Sequence, residues 1–176
     1  MAANPFTQTD NAHPSVAPAT AGAVPVNRAI VAQSEPEVMS GASWFWWIAG
    51  LSLVNSIMTH SGSDTGFIIG LGFTLVADNI FAEYKVVAFV IDALAIATIL
   101  GLGFFARKGH FWAFVVGIVL YTLDAVIYLL MESWMAVAFH GLALFYLVRG
   151  AMKLRAALKA AAEPPPVIAP PPVASA

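Results

Sequence analysis

Four side chains that are costly to place in lipid interrupt otherwise apolar runs of this sequence: Asp78, Asp92, Asp124 and His140. A carboxylate near the centre of a membrane helix costs about 2.5–3.5 kcal/mol on insertion scales, so such a group needs a partner or a task. Carboxylates and an imidazole can hold one another through shared protons, and the same groups spaced along a path relay protons or coordinate cations. Two chemistries therefore compete for Asp92, Asp124 and His140: an interhelical hydrogen-bonded lock, and a proton or cation pathway serving a small coupled transporter or channel. Tyr121 and Tyr128 stand three residues before and four after Asp124. On a helix that spacing puts two phenols on the carboxylate's own face.

Other candidate chemistry is weaker. Gly41-Ala42-Ser43 looks like a hydrolase fragment, but it precedes the first apolar segment and no base stands at a fixed spacing from it. His60-Ser61-Gly62-Ser63-Asp64 has the composition of a turn. His60 and His140 fall at different depths, which does not suit a shared haem, and with no cysteine in the chain thiolate metal sites and thiol catalysis are excluded. We expect no enzymatic activity, no cofactor and no metal.

The elements that must position these residues are apolar stretches. The 176 residues are 60% hydrophobic and 10% charged, against about 25% charged in an ordinary soluble domain. A hydrocarbon core about 30 Å thick needs roughly 20 apolar residues in a helix, and segments 86–106 and 111–131 meet that length. Segments 44–59, 66–82 and 134–148 are shorter and need shelter or snorkelling ends. The expected fold is all-α, a polytopic membrane bundle over 42–150 with five transmembrane helices, or four if 66–82 is re-entrant.

Residues 151–162 extend the last helix as a basic amphipathic stretch, with Arg149, Lys153, Arg155 and Lys159 placed to reach lipid phosphates. The flanks, 1–41 and 163–176, are rich in Pro and Ala and read as disordered tails. Nothing in the balance of charge points to nucleic acid; the expected partners are the lipid bilayer and a second copy or another membrane protein.

Depth and sidedness follow from the same segments. Arg107 and Lys108 lie between two crossings, and the basic cluster follows the last one, so both sites share a side, the cytoplasmic one. With five spans the C-terminus is cytoplasmic and the N-terminus external. Counting at 1.5 Å per residue from the outer ends, Asp92, Asp124, His140 and Asp78 all fall roughly 6–11 Å below the outer boundary. Antiparallel neighbours at that depth can bring two carboxylates and the imidazole together.

The run Trp44-Phe45-Trp46-Trp47-Ile48-Ala49-Gly50-Leu51-Ser52-Leu53-Val54-Asn55-Ser56, then Phe67-Ile68-Ile69-Gly70-Leu71-Gly72-Phe73-Thr74, and the stretch from Arg107-Lys108-Gly109 to Tyr121-Thr122-Leu123-Asp124 resemble a family of small bacterial multi-pass membrane proteins with no assigned activity. The resemblance covers about 44–150 and excludes both tails. It implies a bacterial inner-membrane setting and transfers no role to any residue.

Overall fold

The computed structural model describes residues 25–61 and 70–163. Among them every regular element is an α-helix: α1 (Arg28–Ser34), α2 (Pro36–His60), α3 (Gly72–Ile80), α4 (Lys85–Arg107), α5 (Phe111–Leu130) and α6 (Trp134–Ala162). By length and composition α4, α5 and α6 can each cross a membrane. The chain is a helical membrane bundle. Its flanks carry large exposed apolar groups such as Trp47, Leu94, Leu123 and Met135, while Ser52, Asn55, Ser56, Thr74, Asp92, Asp124 and His140 are buried. Polar groups inside and apolar groups outside suit a hydrocarbon solvent, where each internal polar atom must be satisfied by the protein.

Close helix crossings bring the polar faces together. Gly41 of α2 meets Gly150 of α6, where a Cβ on Gly41 would stand 2.9 Å from the Gly150 Cα and 2.8 Å from the Tyr146 carbonyl oxygen. Trp44 stacks on Tyr146 beside this crossing, with centroids 5.0 Å apart. Phe45 fills the space that Gly103 of α4 and Gly117 of α5 leave open, and its ring tilts against Phe114. Small residues at membrane crossings permit this approach, and aromatic knobs use it. At the α4–α5 turn Gly109 has φ +78°, a left-handed conformation that glycine takes at little cost, and the Arg28 carbonyl lies against it.

Two segments differ from the expected boundaries. The segment 66–82 was expected to span; its described part contains α3, nine residues and about 14 Å long, less than half a bilayer core. Its small residues Gly72, Thr74 and Ala77 face the bundle, while its large apolar groups Phe73, Val76 and Ile80 are exposed on the flank. The disordered tail expected over 1–41 is helical from Arg28 onward. Asn27 caps α1 by accepting from the N–H groups of Ala29 and Ile30, and Pro36 stands in the first turn of α2, where its missing N–H costs no helical bond. Ala32, Val38 and Ala42 are fully buried. Residues 1–24, 62–69 and 164–176, including the Gly62–Asp64 part of the expected turn and the proline run, lie outside the described residues.

Candidate functional site: a carboxylate capping a short helix

The α5 face Gly117, Tyr121, Asp124, Tyr128 is buried as its spacing predicts. Asp124 is only 4% exposed, and its carboxylate closes the N-terminus of α3. Oδ2 accepts the Gly72 N–H at 2.9 Å and Oδ1 accepts the Phe73 N–H at 2.8 Å. The amide just before them, on Leu71, donates to Ser52 Oγ of α2 at 3.1 Å, and that hydroxyl donates to the Ile48 carbonyl. The first N–H groups of any helix lack partners within it, and here side chains of two other helices supply them. A carboxylate at the positive end of a helix also gains from the helix dipole. Only glycine fits at the first position of α3, since a Cβ on Gly72 would stand 2.9 Å from Tyr128 Cε2.

His140 of α6 completes the arrangement. Its Nε2 lies 2.9 Å from Asp124 Oδ2 and its Nδ1 lies 2.8 Å from the Ala136 carbonyl oxygen. A carbonyl only accepts, so Nδ1 carries a proton. The contact between Nε2 and Oδ2 then holds one further proton, on the imidazole or on the carboxyl group, and the pair is neutral as a unit in both cases. Tyr121 stacks on the imidazole at 4.2 Å and 13°, and Tyr128 tilts against it at 5.0 Å. These rings confine the imidazole against the carboxylate.

Asp92 of α4, 1% exposed, accepts a hydrogen bond from another helix: Ser56 Oγ of α2 donates to its Oδ2. Of the expected trio, Asp124 and His140 meet directly, while Asp92 bonds to Ser56 of α2. Asp78 is half-buried and lines a cavity of about 170 Å³ with Thr59, Lys85 and Ala88.

At the opposite end of the bundle Arg149 donates to Glu37 Oε1 at 2.6 Å, and Lys153 Nζ lies 3.3 Å from Glu35 Oε2. These two cations, expected on lipid phosphates, tie α6 to the start of α2. Arg155 and Lys159 are exposed. The hydrogen bond from Arg149 holds the Glu37 carboxyl below its ordinary value of 4.5, and Glu37 in turn raises Arg149.

Sequence reasoning missed Ser52 and Ser56, although Ser52, Asn55, Ser56 and Thr59 recur at helical spacing on one face of an apolar segment. It also missed the amides of Gly72 and Phe73, which have no side-chain signature. No protein-family model, curated protein or solved structure matches the chain.

Proposed function

We propose that this chain is a non-enzymatic membrane protein, a structural or accessory component, in which α2, α4, α5 and α6 cross the bilayer and α3 is re-entrant. One observation carries the reading: the Asp124 carboxylate is committed to two backbone amides of α3 and to His140 of α6. Groups bonded in this way fix helices and are not free to turn over a substrate. Irregular backbone and a helix end inside a bilayer are tolerated only where protein satisfies them, and Asp124 with Ser52 supplies that satisfaction. The 25 residues of α2 reach about 38 Å, enough to cross with tilt.

The basic residues support one orientation. Of the eight Lys and Arg, all but Lys85 lie at the end of the bundle where α2 begins, α4 meets α5 and α6 runs out. By the positive-inside rule that end is cytoplasmic, and four spans place the start of α2 there too. This replaces the external N-terminus that five spans would require. A bacterial inner membrane is the setting that the resemblance implies. Arg155 and Lys159 face anionic lipid, and a second copy or another membrane protein is the partner class for the apolar flanks. A coupled transporter remains the competing class, yet donors from three different helices on Asp92 and Asp124 favour local locks over one shared path.

Topology reporters test the reading. Fusions at Asn27, after Lys108 and after Lys159 should all score cytoplasmic, and fusions after Glu83 and Ser133 external. An external signal at Asn27 restores five spans and removes α3 from its re-entrant place.

A further inference from the structure

Beside the capped end of α3 lies a cavity of about 300 Å³ bounded by α3, α4 and α5, with Phe73, Thr98, Ile99, Leu123, Asp124 and Ile127 among its walls. Phe73 and Leu123 at its rim are 52% and 60% exposed on the flank of the bundle. In a bilayer that flank meets hydrocarbon, so the entrance admits a molecule already dissolved in lipid. The size is at the lower end for small-molecule sites, which are apolar with a few placed polar groups.

We propose that this cavity binds a membrane-dissolved apolar molecule ending in a hydroxyl group, a long-chain or polycyclic alcohol. The chemistry follows from the two polar side chains in the wall. Thr98 Oγ1 gives its proton to the Leu94 carbonyl at 2.8 Å, which leaves its lone pairs as acceptors. The Asp124 carboxylate has about four lone-pair sites. Oδ2 accepts from Gly72 and His140, while Oδ1 accepts from Phe73 alone, so one site on Oδ1 stays open. Both polar side chains of the wall can therefore only accept, and the ligand must bring a donor. Ketones, esters and ethers bring none. An ammonium ion would bring one, but the Asp124–His140 pair is neutral as a unit and offers no net charge to offset the desolvation of a cation. A hydroxyl on a hydrocarbon body meets each condition. The inference goes beyond the lock and rests only on the bundle lying in a bilayer, so reporter topology and ligand labelling fail independently.

The experiment uses the full chain in lipid nanodiscs. A dodecanol with a photoreactive diazirine at mid-chain is irradiated beside its methyl ether, identical except for the missing donor, and adducts are mapped by peptide sequencing. We expect the alcohol's adducts to concentrate around Leu123 and Ile127, to be displaced by unlabelled dodecanol, and to exceed those of the ether about tenfold, the ratio expected for one hydrogen bond. Thr98→Val, an exposed position that should not affect folding, should lower alcohol labelling severalfold, and Ile99→Trp should fill the cavity and abolish it. Equal labelling by alcohol and ether, adducts spread evenly over the outer faces, or an unchanged alcohol signal in Thr98→Val would each overturn the proposal.

Discussion

Replacing Asp124 by leucine strips the acceptor from three hydrogen bonds at once: the N–H of Gly72, the N–H of Phe73 and Nε2 of His140. A buried donor left without a partner costs about 1–3 kcal/mol. The imidazole can shed its Nε2 proton and escape that penalty, whereas the two amides cannot, so Asp124→Leu should lose about 2–6 kcal/mol. Asp124→Asn behaves differently. Its single oxygen can serve Phe73 and its amide nitrogen can donate to a neutral His140, but the nitrogen then faces the Gly72 N–H, stranding one donor at about 1–3 kcal/mol. For a chain of this size each kcal/mol moves Tm by about 2–4 °C, which thermal melts in detergent resolve.

The decisive variant is Asp124→Leu combined with His140→Leu. Removing both members of a buried ion pair and filling the space with hydrocarbon is often neutral or stabilising. If the pair served only to satisfy itself, the double variant should melt with the parent. Because Asp124 also caps α3, two amides stay orphaned in the double variant, and it should remain about 2–6 kcal/mol less stable. A double variant as stable as the parent would refute the capping argument. Nitrogen NMR of His140 checks the hydrogen bonding independently: Nδ1 should carry a proton in the parent and in Asp124→Asn, since it donates to the Ala136 carbonyl in both.

Two further perturbations test the packing and the cytoplasmic tie. A methyl group on Gly117 would fall within the Phe45 ring, which Gly103 and Phe114 confine from the other sides, so Gly117→Ala should cost about 1–3 kcal/mol and Phe45→Leu in the same chain should recover much of it in detergent melts. The Glu37–Arg149 tie titrates with a definite sign: the Glu37 carboxyl is held below 4.5, so the tie stabilises above that pH and is lost as pH falls through the lowered value. The Tm difference between the parent and Glu37→Gln should therefore be small, since both groups are exposed, and should vanish below that range; a difference that persists in acid would contradict the tie.

What the sequence disclosed follows the physics of each element. Apolar length located α4, α5 and the start of α6 to within a residue or two, because in lipid length and hydropathy are the constraint. In segment 66–82 the described helix α3 takes only Gly72–Ile80, packed through small residues while Phe73, Val76 and Ile80 face outward, so apolar content there does not measure helix length. The proline content of 1–41 reads as a tail, although Pro36 stands in the first turn of α2, where proline is at home. Depth and spacing placed Asp124 on the right face with Tyr121 and Tyr128, yet its main partners stayed hidden. A carboxylate bound to another side chain leaves a complement elsewhere in the sequence, and His140 is such a complement. A carboxylate bound to backbone amides leaves none, because every residue but proline carries the donor. The one local hint was glycine at position 72, required by the approach of Tyr128. A buried acid with fewer visible partners than its burial demands is thus, in a membrane chain, a reason to look for a helix end beside it.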